Sequence, residues 1–321
     1  MRRLLTLGPL LFLGACASAA ALTLPAGAPP GWTPLQAEVR TIGLGLPGGV
    51  WMADRVRFAG GVQLSAPRGD RLHGLSDLKA IGEELLTVTD AGDLIRMRPA
   101  FDRCGRLAGI SALSLRPLTS EDGGPFVTKA GGDAESLAVL PDGVLVVGFE
   151  QQPRLWLYGP LTALEARPTP LAVPPVRPGN DGLEAIALAP SHLRVAAESG
   201  GVWDCAPSAC VEVVAPPQTP LPLDGWRITG MDRDPGGDGW FVVERLYREP
   251  IDMRARIRRM DLEGRLGPEL VVLSLPSTTD NFEGIAAVAG PDGRTRLYIV
   301  SDDNDNPRQR TLLLAFDVIE R

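Results

Sequence analysis

The sequence predicts an all-β protein built as a β-propeller, and three observations carry that expectation. Glycine (37) and proline (30) are abundant in the 321 residues, which favours many short elements joined by tight turns over long helices. Four stretches share one pattern, a polar residue heading a short apolar run: HGLSDL at 73–78, ESLAVL at 135–140, EAIALA at 184–189 and EGIAAV at 283–288, with a weaker TGMDRD at 229–234. Each head is followed 14 to 19 residues later by a carboxylate that closes a second apolar run. The heads are 62, 49, 45 and 54 residues apart, near the length of a propeller blade, about 40–50 residues.

The first twenty residues stand outside this pattern. A basic start (MRR), an apolar stretch (LLTLGPLLFLG) and small residues (ACASAA) read as an export signal, too short to span a membrane. Leu13-Gly14-Ala15-Cys16 resembles a bacterial lipobox, in which Cys16 would be lipidated and would anchor the chain to the outer membrane. Cleavage within 17–20 would instead release a free periplasmic protein. Residues 21–35, rich in Ala and Pro, read as a flexible leader, and 36–321 as a single domain. Removing the signal takes away Arg2 and Arg3 and shifts the net charge from -7 to about -9. That balance excludes a nucleic-acid binder that works by neutralising phosphates. It suits cation binding, and it suits solubility equally well.

Within the domain each unit reads as strand, turn, strand with terminal carboxylate, link, strand. The heads are His73, Glu135, Glu184, Thr229 and Glu283. The closing acids are Asp90, Glu150, Glu198, Glu244 and Asp302. Turn formers such as PDG (141–143) and DPGGDG (234–239) separate the two rows. The third strands are LIRMR, RLWLY, VWDC, ARIRRM and TLLLAFDV. EVRTIGLG (38–45) and VRFAGGVQL (56–64) lack a unit of their own, and one of them is expected to complete the last blade, joining the chain ends and removing an open edge. Cys205 and Cys210, in CAPSAC, are placed for a small hairpin disulfide, and Cys104 has no evident partner and is expected to be buried.

Repetition turns single residues into a ring. If the heads start the innermost strands, Glu135, Glu184 and Glu283 meet at one channel mouth, with His73 at the equivalent place. Carboxylates sharing a narrow space raise one another's pKa, and a hard cation relieves that repulsion. Calcium, with six to eight oxygen ligands, suits the set; zinc does not, since His73 and His192 are the chain's two histidines. The alternative for each acid is strand capping or pairing with arginines such as Arg96, Arg154 and Arg256 of the third strands, which otherwise stand as substrate-binding cations. The Arg-rich run 245–259 and the oxygen-rich SDDNDNPRQR (301–310) are candidate mouth loops. No G-x-S-x-G, P-loop or H-E-x-x-H motif occurs, so metal-assisted hydrolysis is the reaction class left standing.

HGLSDL, DAESLAVLPDG, NDGLEAIAL, NFEGIAAV and RLYIVSDDNDNPRQRTLLLAFDV together resemble the phytase-like family, "esterase-like activity of phytase", of bacterial exported proteins. The similarity runs from about residue 50 to the C-terminus. It implies a propeller, export, and hydrolysis of a phosphoester or ester. It favours six blades where five units are visible, with GRLAGISALSL (105–115) as material for the sixth. It adds Asp302 to Glu135, Glu184 and Glu283 as metal ligands, with Glu283, Glu184 and His73 expected to be catalytic. Thr229 departs from the acidic pattern and points to a site built on one side of the channel. Two other functions remain open on the sequence: a non-catalytic propeller binding a ligand or protein in the cell envelope, and a lactonase-like propeller with one channel metal. A monomer acting on a small molecule is expected.

Overall fold

The computed structural model describes residues 28–67, 69–177, 182–290 and 293–319. The signal sequence and Cys16 lie outside the described residues. Among the described residues, apart from one short helix, Lys129–Gly132, and one parallel bridge, the regular structure is antiparallel β. No described helix is long and apolar enough to cross a membrane.

The strands fall into five units in a propeller-like arrangement: the second and third are four-stranded sheets, the fourth gains Val50–Met52 as a fifth strand, and the first and fifth join in one ten-stranded sheet. Their inner strands are Leu75–Ile81, Ala134–Val139, Leu183–Leu188, Arg227–Arg233 and Asn281–Ala289. Each inner strand packs beside the next, and the fifth packs against the first. The second strands are Glu84–Thr89, Val144–Phe149, Leu193–Ala197, Trp240–Arg248 and Arg294–Asp302, and the third strands follow the sequence-predicted positions. The last unit is completed by the N-terminal strand Val56–Ser65, which pairs with Thr311–Ile319 and so joins the two ends of the chain. That strand also touches the first unit through a single bridge, Gly60 to Leu107.

The expected sixth blade has no sheet of its own among the described residues. The run assigned to it lies in Leu107–Pro117, the outer strand of the first unit, paired along its length with Asp93–Phe101. The ordered fold also reaches into the segment read as leader: Thr33–Pro34 pairs with the same outer strand, and Trp32 and Leu35 are buried. Cys104 is exposed rather than buried, at a turn held by Asp102.

Five apolar clusters, one between each pair of neighbouring units, make up the described core. Strand alternation explains how one strand serves two of them. In Val144–Phe149, Leu145, Val147 and Phe149 face the first unit, whereas Val146 faces the third. Near-continuous apolar strands follow from burial on both faces.

Every inner strand carries one extra residue near its start. Pairing with the second strand skips Glu135, Glu184, Thr229 and Glu283 in units two to five. In the first unit two residues, Asp77 and Leu78, stand where the partner strand has one, and Asp77 takes a positive φ of 34°. A β-bulge of this kind re-aims the side chain of the unpaired residue and twists the strand.

Side chains then tie one inner strand to the next. Ser136 Oγ donates to Leu183 O at 2.6 Å and Thr229 Oγ1 to Phe282 O at 2.9 Å. Buried Asp77 accepts from Leu137 N at 3.0 Å and from Lys79 Nζ at 2.6 Å. Burial pushes the Asp77 carboxyl up to about 7 against the pull of Lys79.

The strands converge so closely that Gly284 has no room for a side chain: a Cβ there would lie 2.5 Å from the backbone carbon of Asp77. Gly284→Ala is expected to destabilise the protein by about 1–3 kcal/mol through overpacking against a backbone that cannot yield. Urea unfolding of the variant beside the parent protein measures this.

Candidate active site at the channel mouth

Because second strands run antiparallel to inner strands, the closing acids end beside the bulges. Backbone bonds fix the match: Glu150 N donates to Asp133 O at 3.0 Å and Glu198 N to Gly182 O at 3.1 Å. The two sequence rows therefore meet as one cluster. Glu150, Glu184 and Glu198 place carboxylate oxygens within 4.8 Å of one another, and so do Asp133, Glu135 and Glu150. Glu150 belongs to both groups. Glu184, Glu198, Glu283, Asp302 and Glu150 are all at least nine-tenths buried.

One guanidinium sits among these acids. Arg245 donates to Glu198 Oε1 at 2.5 Å, to Glu283 Oε1 at 3.0 Å and to Asn281 Oδ1 at 2.7 Å. Asn281 Nδ2 in turn donates to Glu283 at 2.8 Å and to Asp302 at 3.4 Å. Arg245 is held charged more firmly than a free arginine by Glu283, Glu198 and Glu184.

The remaining acids lack such relief. Burial, reinforced by Glu135, Glu198 and Glu150, lifts Glu184 well above the usual carboxylate range. Glu135 rises likewise from burial and from Glu283 and Asp133, although the Ser76 hydroxyl donates to it. Burial lifts Asp302, with Glu283 adding to the effect. Glu150 is pushed up to about 7 by burial, moderated by a hydrogen bond with Glu184. Two carboxyl groups in that contact must share either a proton or a cation.

Several sequence-predicted residues lie elsewhere. His73 stands three residues ahead of the equivalent position, which Ser76 occupies; its Nδ1 is 4.0 Å from Asp90 and the ring is half-buried. Glu244 does not close its strand, which runs on to Arg248; it forms a pair with Arg256 at 2.8 Å, and Arg245 enters the cluster in its stead. Arg96 pairs with Glu84 and lies over Trp32. Arg154 donates to Gly131 O and covers Phe149 and Trp156. Arg256 also binds Glu269 and stacks on Trp226. These three guanidinium groups are engaged by their own surroundings. Cys205 and Cys210 face each other across the third and fourth strands of unit three and form a disulfide.

The sequence reading missed Arg245 and Asn281. The signal was present, since Arg245 directly follows Glu244 and Asn281 stands two residues ahead of Glu283, but polar neighbours of row residues carry no periodicity of their own.

A cavity of about 800 Å³ opens beside the cluster. Glu198, Arg245 and Asn281 belong to both. Its lining otherwise comes largely from units four and five, including both candidate mouth loops, with Tyr247, Met253, Asn304, Arg308 and Arg310 among the residues.

Fold and site together define a β-propeller-like protein whose channel mouth is lined with buried carboxylates beside an arginine-bearing cavity. The chain belongs to the phytase-like family described as "Esterase-like activity of phytase", whose family model matches residues 70–305. This bears out the resemblance seen in the sequence. No curated protein matches the chain. Among solved structures, the PQQ-bound aldose sugar dehydrogenase of Streptomyces coelicolor is 12% identical, covering 90% of this chain and 100% of that one at a TM-score of 0.40. Myxococcus xanthus glutaminyl cyclase is 13% identical over 77% of this chain and 92% of its own, at 0.41. BamB from Moraxella catarrhalis is 8% identical over 83% and 71%, at 0.33.

The raised carboxylates fix a pH dependence for the protein in chelator. An acid whose pKa is higher folded than unfolded stabilises the fold below its unfolded pKa, near 4.5 for Glu150, and loses that contribution as pH rises through about 7. The melting temperature in chelator is therefore expected to fall between pH 5 and pH 8. Glu150→Gln is expected to flatten the fall, as read by thermal unfolding across that range.

Proposed function

We propose that the channel mouth is a divalent-cation site, best suited to calcium, and that the protein is a metal-dependent hydrolase of phosphoester or ester substrates. The observation that carries this reading is the contact of Glu150 with Glu184 inside a set of buried acids relieved by one arginine. Glu150, Glu184 and Glu198 would hold a cation, with Asp133 and Glu135 extending the ligand set through Glu150. The donors are all hard oxygens, and neither His73 nor His192 is in either group, which suits calcium better than zinc. When bound, such a cation supplies a Lewis acid that polarises a phosphoryl or carbonyl oxygen and lowers the pKa of water.

The chain's own groups have distinct tasks in this scheme. Arg245 and Asn281 orient Glu283 and Glu198 at the edge of the cavity. Glu283 then holds a proton for exchange with substrate or water, since burial raises its pKa while Arg245 opposes that rise. Asp302 supports Glu283 through Asn281. Arg308 and Arg310 line the entrance and suit an anionic group. Export, to the periplasm or to the outer membrane through Cys16, fits this use of calcium and belongs to the same proposal.

The test combines binding with turnover. Calorimetry should find calcium bound by the purified protein, and Glu184→Gln should weaken it about tenfold or more, the loss that even an outer partner of a ligand produces. Glu283→Ala should abolish hydrolysis across a panel of aryl phosphates and aryl esters while calcium still binds. Calcium bound with no turnover by the parent protein on any substrate would favour a cation that only holds the blades together, as in a non-catalytic envelope propeller.

A further inference from the structure

The cavity beside the acids has two unlike kinds of lining residue. Leu223, Tyr247, Ile251, Met253 and Leu275 form one, from units four and five and the segment between units three and four. Four of these are large apolar side chains left open to water: Leu223 is 91% exposed, Ile251 71%, Leu275 50% and Tyr247 41%. Exposed apolar side chains scattered singly need no explanation, but a group of them lining one concavity marks a binding surface. The other kind is polar: Asn304, Asn306, Arg308, Gln309 and Arg310.

Little of the positive charge around the cavity is uncommitted. Arg310 is paired with Asp280 at 3.1 Å and donates to Thr279 O. Arg245 is committed to Glu198 and Glu283. Arg227 donates to Glu198 O at 3.2 Å. Arg308 is exposed, and among the described residues its guanidinium makes no ion pair or hydrogen bond. Glu198 and Asp280 also line the cavity and repel negative charge. One uncommitted cation in a cavity that also exposes a group of apolar side chains fits a ligand with a single anionic head and an apolar body. A densely phosphorylated polyol would find too few cations and no polar partner among the apolar side chains.

We propose that the occupant of this cavity is an amphiphilic phosphomonoester, its phosphate at Arg308 and Arg310 and its alkyl or aryl group against Leu223, Tyr247 and Ile251. This assignment of substrate class rests on the hydrolase reading of the adjacent acids. A volume of about 800 Å³ accepts a head group with a chain of eight or so carbons.

Calorimetry with octyl phosphate, methyl phosphate, inositol hexakisphosphate and 1-octanol, in calcium and again in chelator, tests it. Burial is worth roughly fourfold in affinity per methylene, so three buried methylenes give about 60-fold. Octyl phosphate is expected to bind at least about 30-fold tighter than methyl phosphate or inositol hexakisphosphate, and tighter than 1-octanol. Ile251→Ser with Leu223→Ser, both at exposed positions, should bring octyl and methyl phosphate within about threefold while leaving methyl phosphate unchanged. Arg308→Gln should weaken both phosphates about tenfold. Equal binding of the octyl and methyl compounds, tighter binding of inositol hexakisphosphate, octanol binding as tightly as octyl phosphate, or an unaltered ratio in the double variant would each overturn the proposal. Hydrolysis of aryl phosphates with no octyl preference would remove this inference and leave the hydrolase. The octyl preference without turnover would do the reverse.

Discussion

One surplus residue near the start of each inner strand governs the rest of the molecule. Pairing cannot absorb it, so the strand bulges and the residue's side chain leaves the sheet at the channel mouth. In units two to five that residue is Glu135, Glu184, Thr229 or Glu283. The following residue is Ser136, Ala185, Gly230 or Gly284, all small. Close approach of the inner strands demands this: a Cβ on Gly230 would lie 2.6 Å from the Glu283 carbonyl oxygen. Pattern and packing have one cause. The bulge delivers an acid to the mouth, and the small residue behind it lets the next strand come near enough for the acids to meet.

Meeting has an electrostatic consequence. A buried carboxylate without a partner shifts its pKa upward instead of remaining charged, and several together do so more strongly. Arg245 relieves Glu198 and Glu283, which leaves Glu135, Glu150 and Glu184 to share protons or a cation. A propeller needs none of these acids to close, because the five apolar clusters and the strand from the N-terminus already hold the ring. Apolar or neutral heads, such as Thr229, serve the same backbone. The retained acids are thus a destabilising feature of the apo fold, which points to use of the site.

Much of this was legible in the sequence because bulges do not disturb the repeat. The extra residue recurs in every unit, so heads and closing acids keep their spacing, and Glu135, Glu184, Glu283 and Asp302 could be aligned without coordinates. Legibility failed where a local change broke the register. In the first unit the bulge moved one residue on, to Asp77, and the polar His73 drew the alignment three residues early, past Ser76. In the fourth unit the second strand continues to Arg248, so Glu244 turns to Arg256 and Arg245 takes the inward place. Strand propensity at 105–115 was read correctly, but it does not say whether a strand begins a new blade or edges an old one; pairing with Asp93–Phe101 decides that. The third-strand arginines were recognisable as partners of acids and aromatic rings, but not as to which: Arg96 chose Glu84 on the neighbouring strand, not a closing acid.

The fourth unit's departure from the pattern also sets the direction of the site. Units two and three supply Asp133, Glu135, Glu150, Glu184 and Glu198, the acids close enough to share a cation, and unit five adds Glu283 and Asp302. Unit four brings Thr229 and Arg245 instead, and the cavity opens on that side, toward units four and five. The lining there mixes Arg227, Arg245, Arg308 and Arg310 with the acids Glu198 and Asp280. With five acidic heads the field would be symmetric and would exclude anions from every direction; with neutral heads, Ser76 and Thr229, in units one and four and one inward arginine, the ring is uneven, which is what the proposed meeting of a cation and an anionic substrate requires. Placing opposite charges across a shared, water-poor space strengthens their interaction, and Glu198, touching Arg245 on one side and the acids on the other, marks the boundary between the two halves.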